Sequence, residues 1–187
     1  MVENIIENMI AKHCAPALAG IKPSNLMAIE KNKTTDIKEN IIRLNRELNN
    51  KDIYIDILCE CSKRILLLVY RRKKLEEYLR GNEIKLLLDK YGYKKCNTLE
   101  SMIKRLKTRL KNSEFPHEIG AFLGYPIDDI YGFINHKNSG CLFAGEWRVY
   151  KNVSEAKELF KRYKACRAAL VKRMMQGKTL AQIFCAA

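Results

Sequence analysis

Two short clusters each set reactive side chain types beside a proline. His13-Cys14 stands just before Pro16, and Pro116-His117-Glu118 opens a stretch that runs to Pro126. A cysteine attacks as its thiolate, so it needs a base or an electropositive setting. Cys14 as nucleophile, His117 as base and a carboxylate orienting the imidazole is the sharpest constellation available. Glu118 is the nearest carboxylate in sequence, but adjacent helical residues point about 100° apart. Asp128, Asp129 or Glu146 fits the orienting role as well. Such a site belongs to a cysteine-dependent hydrolase or acyltransferase acting on a small-molecule or peptide substrate.

The same residues admit a second reading. His13, Cys14, His117 and Glu118 offer the N, S and O donors that zinc or ferrous iron accepts. They come as adjacent pairs rather than at i, i+3 or i, i+4, so the metal reading ranks below the thiol one. No Cys-x-x-Cys occurs, and Cys59-x-Cys61 has no second pair to complete a zinc site. His136 sits in a Lys/Asn/Ser/Gly loop and reads as a surface residue. Phosphate-loop, dinucleotide and nucleophile-elbow patterns are missing, so no nucleotide cofactor is expected. The plain alternative makes Glu118 a helix cap and Cys14 a small buried thiol.

The elements that must position these side chains follow from spacing. Pro116 suits the first position of a helix, with His117 and Glu118 in the first turn. Ile119, Phe122 and Leu123 form its apolar stripe, Gly124 can end it, and Pro126 can begin a second helix with Asp128 and Asp129 in its first turn. Gly120 and Gly124, one turn apart, allow close backbone approach. Upstream, residues 2–12 read as a helix broken by His13-Cys14-Ala15-Pro16, and Asn25–Ile29 reads as a short strand. Thr35 or Asp36 can cap a helix reaching about Asn49. Ile53, Ile55 and Ile57 mark one strand and Ile65–Val69 another, apolar on both faces and so central. Helices follow over 74–80, 82–90 and 97–111, the last opened by Asn97 with Glu100 three residues on. Cys141–Tyr150 reads as one or two strands, and Ser154 caps a long helix ended by Gly177. The expected fold is α+β: a single domain with a small mixed or antiparallel sheet, a central hairpin at about 53–70 and a strand near Trp147, covered by helices.

Pro116-His117-Glu118 and Leu123-Gly124-Tyr125-Pro126 resemble the marks of a bacterial family of unknown function with Pro-His-Glu and Leu-Gly-Tyr-Pro motifs. The resemblance runs through most of the chain and takes in His13-Cys14, Pro16, Gly20 and Gly145-Glu146-Trp147-Arg148-Val149-Tyr150. It implies no activity. It raises the weight of a functional role for His117 and Glu118.

Composition narrows the class. The chain has 187 residues, 47% apolar and 30% charged, which is globular rather than disordered. Its longest apolar run, Ile65–Tyr70, is far too short for a bilayer. The start, Met1-Val2-Glu3-Asn4, lacks the basic and apolar regions of a signal peptide. With seven cysteines, an odd count, these features predict a cytoplasmic protein with reduced thiols and no membrane partner. The net charge of +14 is uneven, because residues 63–112 hold 16 basic and 5 acidic side chains. Lys104, Lys107 and Lys111 line one helix face there. A non-catalytic module that binds nucleic acid or another polyanion through this segment is therefore the alternative from a different class. Lysine-rich solvation of exposed helices explains the same charge.

Overall fold

Strand Arg64–Arg71 is buried along most of its length, and the first part of the chain is built around it. The computed structural model describes residues 4–32, 36–111, 115–137 and 139–185. Thr35, Asn138 and the first three residues, which carry parts of the expectations above, lie outside them. Among the described residues the chain forms nine α-helices and two antiparallel sheets, an α+β protein. Its contacts gather into two compact units, 1–74 with 165–187 and 75–164.

In the first unit, β1 (Ser24–Glu30), β2 (Ile53–Glu60) and β3 (Arg64–Arg71) form a sheet in the order β1-β3-β2. The expected hairpin is β2–β3, with β3 central. Ile65, Leu67 and Val69 pack into a core with α1 (Asn4–Leu18) and α2 (Ile37–Leu48). Leu68 and Tyr70 are buried on the opposite face, where Tyr70 stacks on Tyr54 and donates to Asp56 at 2.9 Å. The third strand is β1, not the segment near Trp147. That segment forms a separate hairpin in the second unit, β4 (Phe143–Ala144) and β5 (Arg148–Val149). The outer edge of β2 meets the Asn45 side-chain amide, which donates to Ile55 O and accepts from Ile55 N, each at 2.9 Å. The amide there stands in for a neighbouring strand.

Helix α1 does not break at His13–Pro16. It runs through Pro16 to Leu18. Proline in a helix interior removes one hydrogen bond, and the Ala17 N–H next to it goes instead to Asn25 Oδ1 at 3.1 Å. Cys14, Ala15, Ala17 and Leu18 are all fully buried, so the apolar face continues past the proline. Gly20 at φ +72° closes the helix. Ile21 N–H reaches Pro16 O and Gly20 N–H reaches Ala17 O, the paired bonds of a Schellman motif. His13 and Cys14 are thus mid-helix residues.

The second unit contains the end of α3 (Arg72–Leu79), α4 (Asn82–Lys90), α5 (Leu99–Arg109), α6 (Ile119–Phe122), α7 (Ile127–His136), the β4–β5 hairpin and the first half of α8 (Val153–Met175). The box that opens α5 lies one residue later than Asn97 and Glu100. Thr98 and Ser101 exchange side chain-to-backbone bonds at 3.1 and 3.2 Å. Beyond Gly177 the chain adds α9 (Leu180–Phe184), opened by a Thr179/Gln182 box. No helix among the described residues is long and apolar enough to cross a membrane.

Within the first unit Glu7 fastens α9 to α1 and α2. It is 2% exposed, accepts from Arg43 Nη2 at 2.9 Å, and accepts from the Leu180 N–H at 2.7 Å. That N–H is one of the donors a helix start cannot satisfy internally. Glu7→Ala leaves that buried N–H without its acceptor and leaves Arg43 with only Glu47 and Asn40, so stability should fall by about 2 kcal/mol. Urea denaturation followed by circular dichroism checks this, and an unmoved midpoint would refute the clasp.

Candidate functional site

The site grows from the corner between α6 and α7. Pro116 does not start a helix. It opens a turn in which its carbonyl accepts from Ile119 N–H at 3.1 Å, and α6 begins at Ile119. Gly124 at φ +67° ends that single turn with another Schellman pair, Tyr125 N–H to Gly120 O and Gly124 N–H to Ala121 O. Pro126 is the N-cap of α7. Gly120 makes the corner close. A Cβ there would lie 3.1 Å from Ile130 Cγ1 and 3.3 Å from the Tyr125 ring.

Asp129, in the first turn of α7, is 3% exposed and holds the β4–β5 hairpin. It accepts from Trp147 Nε1 at 2.7 Å, from Tyr150 N–H at 2.7 Å and from Lys151 N–H at 3.2 Å. Tyr125 stacks on Trp147 with ring centres 4.8 Å apart, and Phe160 meets Trp147 edge-on at 4.5 Å. Gly132 leaves room for the Tyr150 ring, which an added Cβ would strike. The Tyr150 hydroxyl donates to Lys137 O. A cavity of about 280 Å³ remains between the corner and the hairpin. Ile119, Ile130, Tyr125, Phe133 and Trp147 give it apolar and aromatic walls, and the exposed His117 and Arg148 also line it. The His117 ring meets Phe133 edge-on, 5.2 Å between centres.

The predicted site residues are divided between the two units and differ in their surroundings. Glu118 is fully buried and does not line the cavity. Arg109 grips it with Nε to Oε1 at 2.5 Å and Nη2 to Oε2 at 3.2 Å, and the Tyr93 hydroxyl donates to it at 3.4 Å. Burial, and then the Glu118 charge, pushes the Tyr93 hydroxyl well above its usual range. Glu118 makes no side-chain cap of α6 either. Asp128 is exposed and pairs with Lys151 at 2.9 Å. Cys14 belongs to the first unit, where it is 0% exposed among Ile10, Leu18 and their neighbours. Burial pushes its thiol up to about 12, against the pull of Lys22 and Arg167, so it is held in the form that does not attack. His13 is held below the usual imidazole range by partial burial, then by Lys12 and Arg167.

No group of three or more His, Cys, Asp or Glu side chains suited to a metal occurs among the described residues. On α5, Lys104 is exposed and Lys107 half-buried, with Lys111 exposed just beyond it. Two arginines of the same helix are used internally: Arg109 on Glu118, and Arg105, which donates to Tyr91 O at 3.2 Å. Residues 63–74 lie in the first unit and 75–112 in the second. Sequence reasoning missed the aromatic cavity, of which the sequence carries only isolated marks. The single tryptophan follows a Gly-Glu pair, and Tyr125 sits between Gly124 and Pro126.

The chain is thus an α+β protein with an aromatic cavity on a helical corner. The model of the family described as "Protein of unknown function (DUF3793)" matches residues 10–184, and the chain belongs to that family. No curated protein and no solved structure matches it.

Two outcomes test these placements. In the folded protein a thiol reagent should modify Cys61 first and Cys14 last. Cys61 is exposed, and hydrogen bonds from the backbone of Lys63 and Arg64 hold its thiol below the usual range. Peptide mass mapping over time reads the order, and early labelling of Cys14 would contradict its burial. Glu118→Ala strands the Arg109 guanidinium and should cost about 3 kcal/mol. Wild-type stability in that variant would remove the buried ion pair.

Proposed function

We propose that this chain is a binding protein for a small, flat, largely apolar molecule, held in the cavity between the α6–α7 corner and the β4–β5 hairpin. The observation that carries the reading is the cavity itself, about 280 Å³, walled by Tyr125, Phe133 and Trp147. Ligand sites are concave, mostly apolar and fixed by a few polar groups, and this volume is near the lower end of their range. It suits one or two rings. The Asp129 carboxylate at its floor already accepts three N–H donors, so it positions the wall rather than reacting. The cysteine-enzyme reading has less support, since Cys14 is enclosed and its thiol held neutral.

Trp147 is the sole tryptophan, so its indole N–H gives one resonance in a ¹H–¹⁵N spectrum. Titration with 2-naphthol should shift that resonance with saturation. Phe133→Ala should weaken binding about tenfold, the loss expected for one aromatic contact with its buried area. An indole resonance that stays in place at saturating 2-naphthol would sink the proposal.

A further inference from the structure

The cavity has an uneven distribution of charge. Its apolar walls come from the corner, α7 and Trp147, while its ionisable side chains besides the Tyr125 phenol are His117, Arg148 and Asp129. Asp129 is 3% exposed, and its oxygens are occupied by the indole and two backbone donors of the hairpin. Arg148 and His117 are exposed. Among the described residues neither makes an ion pair; His117 meets Phe133 edge-on, and the Arg148 charge is felt by the Tyr150 hydroxyl. The acid nearest on the hairpin, Glu146, does not line the cavity. Its charge acts on the Tyr125 hydroxyl, which burial and then Glu146 push up to about 12.

Resting on the binding reading above, we propose that the ligand is a planar aromatic or heteroaromatic acid. Its rings would lie against Tyr125, Phe133 and Trp147, and its anionic group would be held by the Arg148 guanidinium with the His117 imidazole as second donor. Guanidinium presents paired N–H donors that match a carboxylate, and imidazole adds a third donor when protonated. The same surroundings disfavour a cation. The exposed Arg148 guanidinium at the cavity repels an ammonium group.

The test compares three probes of one ring size on the full chain, read by the Trp147 indole resonance: 2-naphthoate, 2-naphthol and 2-naphthylmethylamine. The naphthoate should bind at least tenfold more tightly than the naphthol, and the amine most weakly. Arg148→Gln should reduce naphthoate affinity about tenfold, with a smaller loss for His117→Gln. Arg148→Glu should invert the order of acid and amine. If all three probes bind with one affinity, or the amine binds best, the acid preference is wrong while the cavity reading stands. If none binds, the cavity reading fails and takes the preference with it. Retained naphthoate preference in Arg148→Gln, with a wild-type spectrum elsewhere, would also overturn the assignment.

Discussion

The second unit depends on one buried carboxylate. Asp129 gathers the buried Trp147 indole and two partly buried backbone donors of the hairpin. A buried donor left without its acceptor costs about 1–3 kcal/mol, so the three together fix where the hairpin must lie. The acceptor is on α7 and the donors follow β4, which gives the two walls of the cavity a single relative position. The adjacent aspartate shows how much burial decides. Asp128 pairs with Lys151 in the open, where an ion pair contributes little.

His117 and Glu118 show the same division between neighbours. One turn of backbone sends the imidazole to the cavity and the carboxylate inward to Arg109 and Tyr93. A motif that reads as an acid–base pair is here a cavity-lining group beside an anchor. The anchor ties the corner to the end of α5, so the loop that carries His117 is held from behind. Arg109 in turn lies over the Tyr91 ring, 5.3 Å from its centre.

Much of the fold was legible because local chemistry and tertiary context agree. The β2–β3 hairpin, the central place of β3 and the Gly124 helix end follow from alternation, apolar runs and glycine's freedom at positive φ. Pro16 misled because proline's local cost was outweighed by burial of Cys14, Ala15 and Leu18 and by Asn25 taking the displaced N–H. That error also placed His13-Cys14 at a helix end and suggested a reactive thiol. The cavity was not legible, since its walls come from four short stretches that only the Asp129 bonds and the Tyr125–Trp147 stack bring together. Single-residue patterns carry no record of such convergence.

The bond from Glu7 to Leu180 spans almost the whole chain. The first unit is sewn from both ends of the sequence, whereas the second is one continuous stretch. On a ribosome the second unit is fully made before Leu170, Met174 and Leu180, which finish the first unit's core, have been added. Domains tend to fold as soon as their residues are available, and distant contacts close slowly. The sheet and α1 are therefore made before the segment that completes their core, and their apolar face stays unfinished until residues 165–185 have emerged.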